Sequence, residues 1–301
     1  MKIKVAPEDR GRTALITGAS SGIGAELARV SAEHGFNVIL VARRKDKLEA
    51  LAEELTARHG VDAAVIVADL SLPDVPKDVF DEIARRGLHV DLLYNNAGVG
   101  DAFSFHEADW SAHRDTLQLM VINPTHLAHL AIPGMLERGY GRVTNITSIA
   151  AHMPGMPMHG MYCQLKTFLY KEIQSWASEY SDTPLTFTAI APGLAETEII
   201  DTSGVRDMVD TLPKALVSTA RSVAEQSVAA TLAGRCVYTL GWANQAYGGL
   251  IRHMPSAIGH KLMAAERVRV KAMLGGDEQQ AAPLPGIPLR FGRKNDRARV
   301  D

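Results

Sequence analysis

The stretch TGASSGIG, residues 17–24, decides the fold. It follows a short apolar run, TALIT (13–17), and precedes AELARVSAEHG (25–35), whose apolar residues recur at helical spacing before a terminal glycine. Glycines in a strand-to-helix turn permit a tight bend and close backbone approach. The first N–H groups of the helix, aided by its dipole, then face an anion. A glycine cluster alone could be a plain loop, but here the strand before it and the helix after it supply the context the mechanism requires.

Working outward, the same alternation continues. NVILVA (37–42) reads as a strand and DKLEALAEELTARHG (46–60) as an amphipathic helix closed by glycine. DAAVIVADL (62–70), VDLLYNNAG (90–98), GRVTNITS (141–148) and LTFTAIAPG (185–193) are further strands, with helical stretches between them. Continuous apolar strands alternating with helices predict an α/β fold, a Rossmann-like doubly wound parallel sheet with helices on both faces. One domain spans 1–240. CVYTLGWANQAYGGLI (236–251) reads as a strand and an apolar helix, and residues 253–274 as a helix starting near Pro255. Residues 241–274 thus form a helical extension, a lid or an oligomer contact. The Gly-, Pro- and charge-rich stretch 275–301 reads as a loosely ordered tail.

The composition excludes several classes. The chain has 301 residues, with 32 Lys and Arg against 34 Asp and Glu, so no overall charge points to nucleic acid. Cys163 and Cys236 form no spaced motif and fit a reducing cytoplasm. MKIKVAPEDRGR at the start lacks an apolar core, so it does not read as a secretory signal. No uninterrupted apolar run is long enough to predict a spanning helix. A membrane-resting surface around Lys261, Arg267, Arg269 and Lys271 is less favoured than a solvated basic face. His126 and His129 have helical spacing but no third ligand, so no metal is expected.

The spacing G-x-x-x-G-x-G, with GMYCQLK (160–166) downstream, resembles the short-chain dehydrogenase/reductase family. The resemblance covers roughly 12–240. It implies that Gly18, Ser20, Ser21, Gly22, Ile23 and Gly24 cradle the phosphates of a nicotinamide dinucleotide. The second strand ends in Ala42-Arg43-Arg44 where a carboxylate would favour NAD, so the arginines favour NADP(H), with Arg43 ranked before Arg44. Asp69 and Leu70 are implied adenine contacts, and Asn96, Ala97 and Gly98 of NNAG line the cofactor while Asn95 braces the backbone. Pro192, Gly193, Leu194 and Thr197 of APGLAET flank the nicotinamide in the same reading.

Tyr162 and Lys166 share a helix face by their i, i+4 spacing. A phenol is a poor acid or base at neutral pH unless a nearby ammonium favours its phenolate. With Asn123 and Ser148 they match the family's Asn–Ser–Tyr–Lys set. Tyr162 would exchange the proton, Ser148 would hold the carbonyl oxygen, Lys166 would bond the nicotinamide ribose, and Asn123 would support a relay through water. Leu165 departs from the small residue common before the family's lysine. Met153, Met156, Met158 and Met161 hint at an apolar or aromatic substrate, although they would equally fill a loop against the core. His152 and His159 are weaker candidates for substrate contact. The expected function is reduction of a carbonyl with NADPH. Alcohol oxidation and a catalytically silent nucleotide sensor are the alternatives. Homo-oligomers are common in the family through the helices that carry Asn123 and Tyr162.

Overall fold

The computed structural model describes residues 3, 5–100, 105–157, 159–196, 217–255 and 257–264. In chain order the strands are β1 (Thr13–Thr17), β2 (Asn37–Ala42), β3 (Ala63–Val67), β4 (Leu92–Asn95), β5 (Gly141–Ile146), β6 (Leu185–Ala191), β7 (Leu194–Glu196), β8 (Val217–Thr219) and β9 (Val237–Thr239). The helices are α1 (Gly22–Glu33), α2 (Lys45–His59), α3 (Val75–Arg85), α4 (Trp110–Leu117), α5 (Asn123–Glu137), α6 (Tyr162–Glu179), α7 (Ala220–Leu232) and α8 (Trp242–Arg252).

Seven strands form one parallel sheet in the order β3–β2–β1–β4–β5–β6–β9. Residues alternate across each strand, and the sheet carries apolar side chains to both faces. Ile16, Leu40 and Tyr94 meet Leu27 of α1, Leu48 and Leu55 of α2, and Val223 and Val228 of α7. Leu15, Ile39 and Leu93 meet Val79 and Ile83 of α3, Leu127 and Met135 of α5, and Ile173 of α6. The strand order reverses between β1 and β4, which opens a crevice at the carboxyl edge where ligands of such sheets bind.

The strands end earlier than the sequence suggests. β3, β4, β5 and β6 stop at residues 67, 95, 146 and 191, so Asp69, Asn96, Ser148 and Gly193 lie in the loops beyond them. A short parallel pair, β7 with β8, was not legible in the apolar pattern.

Between α4 and α5 the chain makes a π turn over Gln118–Ile122, giving a continuous helical run from Trp110 to Glu137. Its length and composition would suffice to cross a membrane, which the absence of an uninterrupted apolar run had argued against. Its inner side is core: Leu127, Ala128, Ala131 and Met135 are buried against the sheet. Beyond Ile251 the chain breaks at Met254–Pro255, and residues 257–264 are helical again. The tail expected over 275–301 lies outside the described residues.

Candidate active site

The glycine pattern of the first loop has a steric cause. Gly18 and Gly22 sit at φ +67° and +54°, a region that favours glycine. Gly24 has another reason: a Cβ there would lie 2.2 Å from the Gly18 carbonyl oxygen and 2.6 Å from Asn96 Nδ2. Helix α1 thereby closes onto the ends of β1 and β4. Ser21 caps it without a side-chain bond, and no acid occupies its first turn, so its N–H groups present a positive end. The cradle fits the phosphates of a dinucleotide because a side chain would fill the space backbone must approach.

Arg44, not Arg43, lies across this loop. It donates to Ser20 Oγ (3.0 Å) and Ser21 Oγ (2.6 Å), whereas Arg43 is exposed. Ile23 packs against the core behind the loop.

Thr17, which the sequence reading passed over, knits the crevice together. Its hydroxyl accepts from the N–H groups of Asn96 (2.9 Å) and Ala97 (3.0 Å), and Asn96 Nδ2 donates to the Thr17 carbonyl (2.9 Å). Asn95 is buried and donates to the Pro124 carbonyl and to Asn145 Oδ1, a brace between elements. A Cβ on Gly98 would stand 3.6 Å from Lys166 Nζ.

Beyond β3, Asp69 Oδ1 accepts from the Ser71 N–H and hydroxyl, and Leu70 is buried. Asn123 is fully buried. Its amide donates to the carbonyls of Leu70 and Leu72 (both 2.8 Å) and its oxygen accepts from Gln118 Nε2 (2.7 Å). The side chain of Asn123 thus braces the loop after β3. The π turn just before it sets that direction.

Ser148 follows β5 in extended backbone and accepts from the Ala150 N–H (3.1 Å). Tyr162 opens α6, with its hydroxyl near enough to Ser148 to feel it. Burial pushes the Tyr162 phenol above its ordinary value of 10, and Ser148 opposes that rise. Lys166 is buried, with Nζ donating to the Ile146 carbonyl (2.8 Å) and standing 5.7 Å from the Tyr162 ring centroid. Burial lowers its pKa from 10.5 to about 8. That shift amounts to a desolvation cost on the order of 3 kcal/mol, which a purely structural position would avoid with an apolar residue. Ser148, Tyr162 and Lys166 stand together at the carboxyl edge.

The Pro192 carbonyl accepts from the Ile149 N–H (2.8 Å), joining the loops after β5 and β6. Leu194 enters β7, and Thr197 lies outside the described residues. Gly193 is packed tightly: a Cβ there would lie 2.4 Å from Asn244 Nδ2 of α8. On the same side, a Cβ on Gly248 would stand 3.3 Å from the His152 ring, and one on Gly259 2.7 Å from Pro154. Tyr247 reaches Met153 Sδ (3.8 Å). His159 bonds the Pro157 carbonyl, and Met158 is outside the described residues. No His/Cys/Asp/Glu cluster suited to a metal occurs among the described residues.

The family model for short chain dehydrogenases matches residues 12–207. The chain belongs to that family. Among short-chain relatives, it is 34% identical over 205 residues to sulfoacetaldehyde reductase 2 of Chromohalobacter salexigens, covering 66% of this chain and 79% of that one. It is 31% identical to a very-long-chain 3-oxoacyl-CoA reductase of Anas platyrhynchos, spanning 63% of this chain and only 61% of the relative's length. A short-chain dehydrogenase from Sphingobium yanoikuyae, solved in complex with NADPH, superposes with a TM-score of 0.71 at 28% identity. That match covers 90% of this chain and 98% of the other. A 7beta-hydroxysteroid dehydrogenase superposes at 0.75 with 22% identity, over 85% and 98%, a likeness of fold.

Proposed function

We propose that the chain is an NADP(H)-dependent oxidoreductase interconverting a carbonyl and a secondary alcohol on an apolar or aromatic substrate, with reduction as its working direction. One observation carries this reading: Ser148, Tyr162 and Lys166 converge beside a loop shaped to admit a dinucleotide. A bound nicotinamide would supply or take up the hydride. The chain's own residues manage the oxygen. Ser148 holds the carbonyl oxygen by its hydroxyl, and Tyr162 delivers the proton as charge develops there. Lys166 favours the phenolate left behind through its ammonium charge. The Sphingobium structure with NADPH and the reductase names among the relatives support the cofactor and direction.

The test is NADPH oxidation across apolar and aromatic ketones and aldehydes. Turnover supports the reading. Tight NADPH binding without turnover on the panel would sink it, in favour of alcohol oxidation or a silent sensor.

Arg44 is the residue we assign to the 2′-phosphate, because it already bridges the loop serines. A hydrogen bond to a charged group is worth about 1.5–3 kcal/mol. Arg44→Ala is therefore expected to weaken NADPH binding by roughly 10- to 100-fold and leave NADH nearly unchanged. A larger loss with Arg43→Ala would return the role to that residue.

Assembly with a second copy through α5 and α6 belongs to the same proposal. These helices and the π turn before α5 expose Leu136, Phe168 and Ile122, which water disfavours. Light scattering should report a dimer or larger species, and a monomer at micromolar concentration would refute it.

A further inference from the structure

We propose that Glu172 is a positioning residue for proton transfer, tying the helix of Tyr162 and Lys166 to the helix that begins at Asn123 and to the strand leading into Ser148. The argument rests on four side chains from four elements. Glu172, on α6, accepts from the Thr125 hydroxyl of α5 through Oε1 (2.5 Å) and from Asn145 Nδ2 of β5 through Oε2 (3.2 Å). Asn145 Nδ2 also donates to the Leu169 carbonyl of α6, and its Oδ1 accepts from Asn95 at the end of β4. Asn95 returns to α5 through the Pro124 carbonyl. Asn95 and Asn145 are both buried.

This network sits one residue from the chemistry. Ile146, next after Asn145, offers the carbonyl that holds Lys166 Nζ. A shift of β5 against α6 would therefore move the lysine's anchor and Ser148 together. An acid in this place is costly, since burial raises its pKa to about 7 against the pull of its two donors. A leucine would pack there without that cost, so the carboxylate is retained for its geometry. Neither Thr125 nor Asn145 titrates. The ionisable groups on the elements packed around Glu172 are His126, His129 and Glu137 on α5, Arg142 on β5, and Tyr162, Cys163, Lys166, Tyr170, Lys171 and Glu179 on α6. Arg142 is bonded to Thr186, and Lys171 lies over the Tyr170 ring.

The inference rests on the oxidoreductase reading. Wild-type turnover reports on that reading, and the ratio of variant to wild type reports on this one. Glu172→Gln, Glu172→Leu, Thr125→Val and the Thr125→Val/Glu172→Gln double variant are compared in kcat, KM, thermal unfolding and pH profile. Misplacing catalytic groups by a fraction of an ångström costs rate more than affinity. At pH 8 Glu172→Gln should lower kcat about tenfold with KM for NADPH within about twofold. The double variant should be no slower than Glu172→Gln, because both remove one network.

The sign in pH follows from the carboxyl. As pH falls through 7, Glu172 gains a proton and loses acceptor strength toward its donors. Wild-type kcat should fall on that limb, and Glu172→Gln should be flat there at its lower level. Should Glu172→Leu fail to fold, the glutamine and valine variants decide the matter. Wild-type kcat in Glu172→Gln, an acid limb that persists in it, or loss of rate only in step with unfolded protein would each overturn the proposal.

Discussion

Tyr162→Phe is expected to lower kcat by about 1000-fold while NADPH affinity stays within about twofold. The phenyl ring keeps its place at the start of α6, and Lys166 keeps its bond to the Ile146 carbonyl. What disappears is the hydroxyl that meets Ser148 and the proton it carries. Positioned acid catalysis of this kind is worth about 10²–10⁴-fold, so the residual rate measures what Ser148 and cofactor binding achieve alone. The measurement is steady-state NADPH oxidation beside a fluorescence titration of NADPH. A variant that keeps more than about a tenth of the rate would remove Tyr162 from the proton path.

The second large effect is expected at Gly24. An alanine Cβ would meet the Gly18 carbonyl oxygen and Asn96 Nδ2 far inside contact distance. Neither partner yields easily: Gly18 is fixed at φ +67°, and the Asn96 amide is spent on the Thr17 carbonyl. Helix α1 must therefore lift off the ends of β1 and β4. Overpacking of this type costs about 1–3 kcal/mol of stability, and lifting the helix removes its N–H groups from the phosphates. Gly24→Ala should unfold several degrees lower and bind NADPH more than about 100-fold more weakly. Gly60→Ala is the control, since a Cβ there meets nothing within 4 Å and only the φ of +66° is strained. That variant should lose about 1 kcal/mol of stability and bind NADPH normally. Normal NADPH binding by Gly24→Ala would mean that the cofactor does not rest on this loop.

These expectations show which parts of the molecule were written in local sequence. Gly18, Gly22 and Gly24 were legible because backbone sterics allow few other residues, and their spacing between a strand and a helix is itself the signal. Tyr162 and Lys166 were legible because a helix turns four residues onto one face. Which of Arg43 and Arg44 meets the loop serines was not, since it depends on which way the chain turns between β2 and α2. Arg44 is the cap residue of α2 and faces the loop serines. Glu172 was illegible for a different reason. A glutamate in mid-helix reads as a solvated face, and only the approach of Thr125 and Asn145 from distant parts of the chain makes it internal. Thr17 and Asn244 escaped because their partners, Asn96 and Gly193, lie 79 and 51 positions away.

The direction of Asn123 was hidden by the π turn, and that turn limits how the chain can vary in length. Five residues per hydrogen-bonded ring, where four is usual, amount to one surplus residue in the run from Trp110 to Glu137. Removing one of residues 118–122 would let the helix become regular with α4 and α5 still nearly in phase, because five residues of π turn sweep about the same angle as four of α-helix. Removing one residue elsewhere in the run would instead rotate everything beyond it by about 100°. With a removal of that second kind, either the apolar side of α5 would leave the sheet or the rest of the run would swing away from its partners. Substitutions along this helix are a matter of degree, but its residue count acts as a phase that the rest of the protein is tuned to.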